Sequence, residues 1–251
     1  MTNQFTPHVI TSSNQSLESV PELLSQVSTH KLVLLRGFTA LEKEQLLAFC
    51  QSLGALLSWD FGPVMEMRVN KDTKNYLFTE GDVPLHWDGA FYQEPRFLVF
   101  HCIQAPLPDA GGETVFVDTE SVWENLDEKT KALWKRYQLT FSTEKLAHYG
   151  GNITRNLVNK HPERERTILR FAEPVGEDYL NPVDVSIVNK NHAESEAILT
   201  EIREIMRHRQ YCYAHTWQTG DYLIADNRSL LHGRNAFNAH SPRHLRRIQI
   251  L

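Results

Sequence analysis

Apolar positions along this chain fall mostly in short runs broken by Gly, Pro and Asp, a spacing that predicts strands more often than helices. The first clear run, Lys31-Leu-Val-Leu-Leu-Arg-Gly37, reads as a buried strand ended by glycine. Residues 39–53 carry apolar side chains at helical intervals, with Gly54 as a stop. Beyond them, the runs at 65–70, 75–78, 97–103 and 113–118 predict strands. Residues 120–137 predict one helix, with Leu126, Leu133 and Trp134 on its apolar side and Thr119 as its cap. A second helix is expected over 193–207, where Ile198, Ile202, Ile205 and Met206 point inward. Strands are expected at 167–171, 211–217, 222–225 and 245–251.

Two stretches lack this organisation. Residues 1–30 are polar and Ser-rich apart from an amphipathic segment at 20–27, and read as a lead-in. Residues 144–166 are polar and weakly periodic, an excursion placed to lie over a pocket as a lid. No internal repeat, G-x-G-x-x-G or P-loop is present, and the strands do not alternate regularly with helices. The expectation is a mainly β fold with inserted helices, a double-stranded β-helix or distorted jelly roll, as one domain over 1–251.

Composition adds a few bounds. A chain of 251 residues with 41% hydrophobic content can bury a large core. A net charge of −5 gives no general attraction to nucleic acid or to an anionic membrane. The N-terminus lacks the basic-then-apolar pattern of a leader and no apolar run reaches spanning length, so a cytoplasmic protein is expected. Cys50, Cys102 and Cys212 are scattered, without C-x-x-C spacing, and suit packing.

Candidate chemistry begins at Pro84-Leu-His-Trp-Asp-Gly89. In an extended segment His86 and Asp88 project to one side and Trp87 to the other. H-x-D arises often by chance, so a third ligand decides its meaning. His232, at the far end of the apolar run that begins at Ile224, is the best candidate. Two His and one carboxylate on one face leave positions on an octahedral ion open to substrate and oxygen, as in non-haem Fe(II) oxygenases; Zn²⁺, Mn²⁺ and Co²⁺ accept the same donors. Past His232, alternation in Arg243-His-Leu-Arg-Arg-Ile-Gln-Ile puts Arg243, Arg247 and Gln249 on one face and Ile248 and Ile250 on the other. Two guanidiniums on that face can hold two carboxylates, one from a co-substrate and one from the substrate. Thr114 follows the Gly111-Gly112 turn, where its hydroxyl can donate to an anion. Trp87, Tyr92, Phe61 and His148-Tyr149 would suit an aromatic pocket wall but read first as packing, and His101 as a core histidine.

In this order, His86-x-Asp88, Gly111-Gly112-x-Thr114, Ala225-Asp-Asn-Arg, His232 and Arg243 resemble the TauD/TfdA family of Fe(II)- and 2-oxoglutarate-dependent oxygenases, from about Leu32 onward. The resemblance implies His86, Asp88 and His232 as iron ligands, Arg243 and Thr114 as partners of the 2-oxoglutarate C5 carboxylate, and Arg247 as a contact to an acidic substrate. O₂ is the other co-substrate. Leu85-His-Trp-Asp-Gly, Val99-Phe-His-Cys-Ile-Gln-Ala-Pro, Ala147-His-Tyr, Ile168-Leu-Arg-Phe-Ala-Glu-Pro and Pro242-Arg-His-Leu-Arg-Arg are similar more narrowly to oxygenases encoded beside isonitrile synthases, the PvcB/IsnB group. That likeness implies Cα–Cβ desaturation, with or without loss of CO₂, of an amino-acid isonitrile such as tyrosine isonitrile. A hydroxylase of a sulfonate or other small acid is the alternative within the family, and a non-enzymatic jelly-roll binder the alternative outside it. Self-association is left open. Similar proteins continue a little past the point where this chain stops, at Leu251, a difference that bears on closure over the pocket.

Overall fold

In the computed structural model, residues 4–13, 15–20, 22–68, 78–144, 150–179 and 181–251 are described. The lead-in supplies β1 (His8–Thr11) and α1 (Leu23–His30), and β1 pairs in parallel with β2 (Leu32–Arg36). The helix expected from 39 begins at Lys43: α2 (Lys43–Leu53) is opened by a reciprocal capping box between Glu42 and Gln45. Next come β3 (Val64–Arg68), β4 (Val83–His86), β5 (Phe97–Gln104) and β6 (Thr114–Asp118). Most of the run expected at 75–78 lies outside the described residues.

The single helix expected over 120–137 is two: α3 (Thr119–Asn125) and α4 (Glu128–Trp134). Asp127 breaks it by accepting from the Thr130 N–H, which starts a new helix. The cap of α3 is Asp118, not Thr119, whose hydroxyl instead donates to the Ser229 carbonyl. Leu133, expected on the apolar side, is exposed, whereas Trp134 is fully buried.

The polar stretch after β7 (Gln138–Thr143) contains β8 (Gly151–Asn156) and β9 (Val158–Lys160); β8 pairs with β7, and β9 with β10 (Thr167–Leu169). The chain closes with β11 (Asp184–Ile187), α5 (His192–Met206), β12 (Cys212–His215), β13 (Tyr222–Asp226), β14 (Leu230–Arg234) and β15 (His244–Ile250).

Two sheets carry the architecture. One has the order β1-β2-β13-β5-β15-β3, the other β12-β6-β14-β4. They face each other across Phe100, Leu223 and Leu245 from the first and Phe116 and Leu230 from the second. The outer face of the larger sheet buries Val33, Leu35, Ile224, Ile248 and Ile250 against α1 and α2. The outer face of the smaller buries Leu85, Val115, Val117 and Leu231 against α3, α4, α5 and the β11-β7-β8 sheet. This is the distorted double-stranded β-helix expected, and covering both outer faces leaves the space between the sheets as the place where polar side chains can gather.

Asp221 joins Arg36 (2.7 Å) to His215 (3.2 Å). His101 stacks on Tyr222 with ring centroids 4.1 Å apart; it is a core histidine, as expected, but not a satisfied one, since its buried Nδ1 has no hydrogen-bond partner. Among the described residues, no helix is long and apolar enough to cross a membrane.

Candidate metal centre and active site

His86 ends β4, and β14 runs antiparallel beside it with His232 directly opposite. Both imidazoles enter the space between the sheets, because Leu85 and Leu231, one residue away, fill the outer core. Their rings lie 4.3 Å apart. Asp88 follows on the turn after β4, where Asn227 grips its backbone: the Asn227 carboxamide accepts from the Asp88 N–H and donates to the Asp88 and Pro95 carbonyls.

One ligand-type atom from each of the three residues lies within 4.8 Å of the others. Asp88 Oδ1 is 3.5 Å from His86 Nε2 and 3.8 Å from His232 Nε2. Donors at right angles on one ion, each about 2.1 Å from it, lie about 3 Å apart, so a small closure would complete the set. The residues fit a metal on two further grounds. His86 Nδ1 lies 2.8 Å from the Pro84 carbonyl, which can only accept; Nδ1 therefore carries the proton and Nε2 presents a lone pair. His232 Nε2 is buried with no hydrogen-bond partner, a cost that an ion would remove.

Charge is arranged accordingly. Burial raises the Asp88 carboxyl, but the Arg247 guanidinium beside it outweighs burial and holds the group well below the usual carboxylate range. Burial lowers His232 well below the ordinary imidazole value, and His86 adds to this, so it stays neutral as a ligand must.

The remaining expected residues are nearby: Arg243 just before β15, Arg247 on β15 and Thr114 on β6. Arg243 is 6% exposed and has no acidic partner within ion-pair distance among the described residues; its Nε donates to the Gly112 carbonyl and its Nη2 to Thr114 Oγ1. Burial, with Arg234 nearby, pushes its guanidinium down to about 9. A buried cation in that position calls for an anion. The Gly111-Gly112 turn brings the backbone there: Gly111 has φ of +81°, and a Cβ on it would lie 2.3 Å from the Ala236 carbonyl oxygen. Arg247 also reaches the space between the sheets, but its Nη1 contacts Asp88 Oδ2 at 3.1 Å, while its Nε is buried without a partner.

Sequence reasoning missed two groups here. Gln249 was placed on the Arg243 face without a role, and its Nε2 donates to Asp88 Oδ2 at 2.5 Å. Trp217 donates from Nε1 to Thr114 Oγ1 at 3.0 Å, a contact that no spacing signals. Of the aromatic candidates, Trp87 is buried against Phe141 and is core, whereas Phe61 and Tyr92 are exposed and flank Trp59. His148 and Tyr149 lie outside the described residues.

Fe(II)- and 2-oxoglutarate-dependent oxygenases are the class these observations define: the enzyme takes Fe(II) as its metal and 2-oxoglutarate and O₂ as co-substrates. Within that class the chain belongs to the taurine catabolism dioxygenase TauD, TfdA family, whose model matches residues 3–249. It is 45% identical over 236 residues to the 3-((Z)-2-isocyanoethenyl)-1H-indole synthase of Fischerella ambigua, covering 93% of this chain and 86% of that one. It is 38% identical over 227 residues to the tyrosine isonitrile desaturase of Pseudomonas aeruginosa, covering 88% and 78%. Among solved structures, PvcB, an Fe, alpha-ketoglutarate dependent oxygenase from an isonitrile synthetic pathway, superposes with a TM-score of 0.79 at 33% identity, over 98% of this chain and 87% of that one.

Proposed function

We propose that this enzyme introduces a Cα–Cβ double bond into an isonitrile derived from an aromatic amino acid, with loss of the carboxylate as CO₂ as one of its two outcomes. The observation that carries the reading is the 45% identity, across 93% of the chain, to an enzyme named for an isocyanoethenyl indole, a product without a carboxylate. The tyrosine isonitrile desaturases support the same substrate class. These likenesses favour desaturation over hydroxylation of a sulfonate or other small acid.

In this reading His86, Asp88 and His232 hold the iron, within one domain over 1–251. Arg243 and Thr114 bind the C5 carboxylate of 2-oxoglutarate, which explains why a guanidinium is buried there without an acid. Iron with 2-oxoglutarate, when bound, would supply the oxidising power: one O₂ and one 2-oxoglutarate are consumed, succinate and CO₂ are formed, and the second oxygen atom leaves as water with the two hydrogen equivalents taken from the substrate. The protein's part is to hold the substrate so that the Cβ–H, weakened by the adjoining ring, is the bond presented. Arg247 is the anchor for the substrate carboxylate: its unpartnered Nε–H is available to a second acid while Nη1 stays near Asp88. A carboxylate locked in that pair leaves more slowly than a free one, so Arg247 influences whether the second group lost is the Cα proton or CO₂.

The test is turnover of tyrosine isonitrile and tryptophan isonitrile with Fe(II), 2-oxoglutarate and O₂, with products read by mass. Loss of two hydrogens, or of one hydrogen and the carboxyl group, with one succinate per product, is the expected result. A product carrying an added oxygen, or succinate formed without change in either isonitrile, would overturn the assignment. In Arg247→Lys the proportion of product that has lost CO₂ should rise.

A further inference from the structure

Behind the ligand carboxylate lies a chain of hydrogen bonds that reaches the surface. Trp59 Nε1 donates to Gln249 Oε1 at 2.8 Å, and Gln249 Nε2 donates to Asp88 Oδ2 at 2.5 Å. The orientation is forced: an indole N–H can only donate and a carboxylate only accept, so the carboxamide oxygen must face Trp59 and its nitrogen Asp88. Arg247 Nη1 straddles the carboxylate, 3.1 Å from Oδ2 and 3.3 Å from Oδ1, so Gln249 is the group that holds Oδ2 alone, and Oδ1 is the oxygen turned toward His86 and His232. Gln249 thus fixes the rotation of the Asp88 carboxylate, with Oδ1 toward the two imidazoles.

The far end of this chain is aromatic. Trp59 sits in a tight turn, its N–H and carbonyl bonded to those of Gly62. Its ring lies 6.4 Å from that of Phe61, nearly parallel, and 5.6 Å from that of Tyr92. Phe61 is 50% and Tyr92 62% exposed, unusual for rings of this size. Tyr92 belongs to the turn that carries Asp88, with its N–H on the Gly89 carbonyl. Two hydrogen bonds and one carboxamide place the Trp59 nitrogen within about 8 Å of Asp88. That distance suits a substrate ring whose adjoining carbon must reach the metal.

We propose that Trp59, Phe61 and Tyr92 form the ring-binding part of the substrate site, and that Gln249 is a positioning residue linking this aromatic surface to the metal-facing carboxylate. The inference rests on the aromatic substrate proposed above. It assigns specificity to the turn around Trp59 and ties ring recognition and ligand geometry to one carboxamide.

The test uses the full chain with Fe(II) and 2-oxoglutarate under anaerobic conditions, with affinity read from the visible charge-transfer band. Tyrosine isonitrile, tryptophan isonitrile and valine isonitrile are the probes. In the wild type the aromatic probes should bind more tightly than the valine one. In Phe61→Ala/Tyr92→Ala they should weaken about tenfold, while the valine probe changes by no more than about twofold. Unchanged aromatic affinity in that variant, with tight binding in the wild type, would overturn the ring site and leave the substrate reading standing. No response of the wild type to any probe would remove the substrate reading, and the ring site with it. Separately, without any probe, Trp59→Phe and Gln249→Met should each lower Fe(II) affinity about tenfold, and the double variant no further, because both break one chain. Trp59→Phe keeps a ring in place, so its effect reports the N–H. Additive losses, or none in Trp59→Phe, would overturn the linkage.

Discussion

At Thr114 two donors settle the direction of a proton. Trp217 and Arg243 both donate to its Oγ1, at 3.0 and 3.4 Å, which fills the oxygen's lone pairs and leaves its own hydrogen to point outward at an acceptor. Trp217→Phe frees one lone pair and lets the hydroxyl turn, so KM for 2-oxoglutarate should rise about fivefold with Fe(II) affinity unchanged. An unaltered KM would mean that this hydroxyl plays no part in binding the co-substrate. Residues of this kind divide by legibility. Arg243, Arg247 and Gln249 were readable as one face because a strand has a period of two. Asp88 with His86 was readable from their i, i+2 spacing, although β4 ends at His86 and it is the turn after it that carries Asp88. Trp217 was not, since its partner is 103 positions away and nothing in local spacing encodes that meeting. Gln249 had the right face but an uncharged carboxamide carries no signal of what it will hold.

Among the elements, the strands that build the two sheets were mostly visible as apolar runs, whereas β7, β8, β9 and β11 were not. Their faces are half polar, and β8 is largely exposed, so no apolar contrast marks them. The broken helix has a plainer lesson: Asp127, three residues before Thr130, is an N-cap signal inside a pattern that otherwise ran on. On β5, His101 gives a prediction in pH. Burial, with Arg246 adding to it, pushes its imidazole down to about 4 from an ordinary 6.5. The unfolded chain therefore takes up the proton first; stability is whole above about 6.5 and declines as pH falls from there toward 4. His101→Phe keeps the stack on Tyr222 and removes that proton, so denaturant melts at pH 7 and pH 4 should differ by up to about 3 kcal/mol less than in the wild type. Equal differences in the two proteins would place the acid sensitivity elsewhere.

Over the whole molecule, the two sheets enclose groups whose needs the protein leaves unmet: the lone pair of His232 and the cation of Arg243. Ligands that meet them bind the folded state alone and raise its melting temperature. Mn(II), followed by 2-oxoglutarate, should raise Tm in two increments of several degrees at concentrations about a hundred times Kd. Arg243→Ala should keep the first increment and lose the second, and His232→Ala should lose both. A second increment that survives in Arg243→Ala would move the co-substrate away from β15.

The opposition of His86 and His232 across one ladder has a consequence for the chain's history as well as for its chemistry. A slip of β14 by a single position would turn His232 toward the helices and bring Leu231 or Gly233 inward, so only one alignment of the two strands yields a complete ligand set. Deleting or inserting one residue within β14 should therefore be tolerated far less than in the turns that flank it. Co(II) absorption could then serve as a colorimetric gauge of strand alignment in libraries or refolding mixtures, distinguishing correctly zipped molecules from compact ones that are one step out of phase.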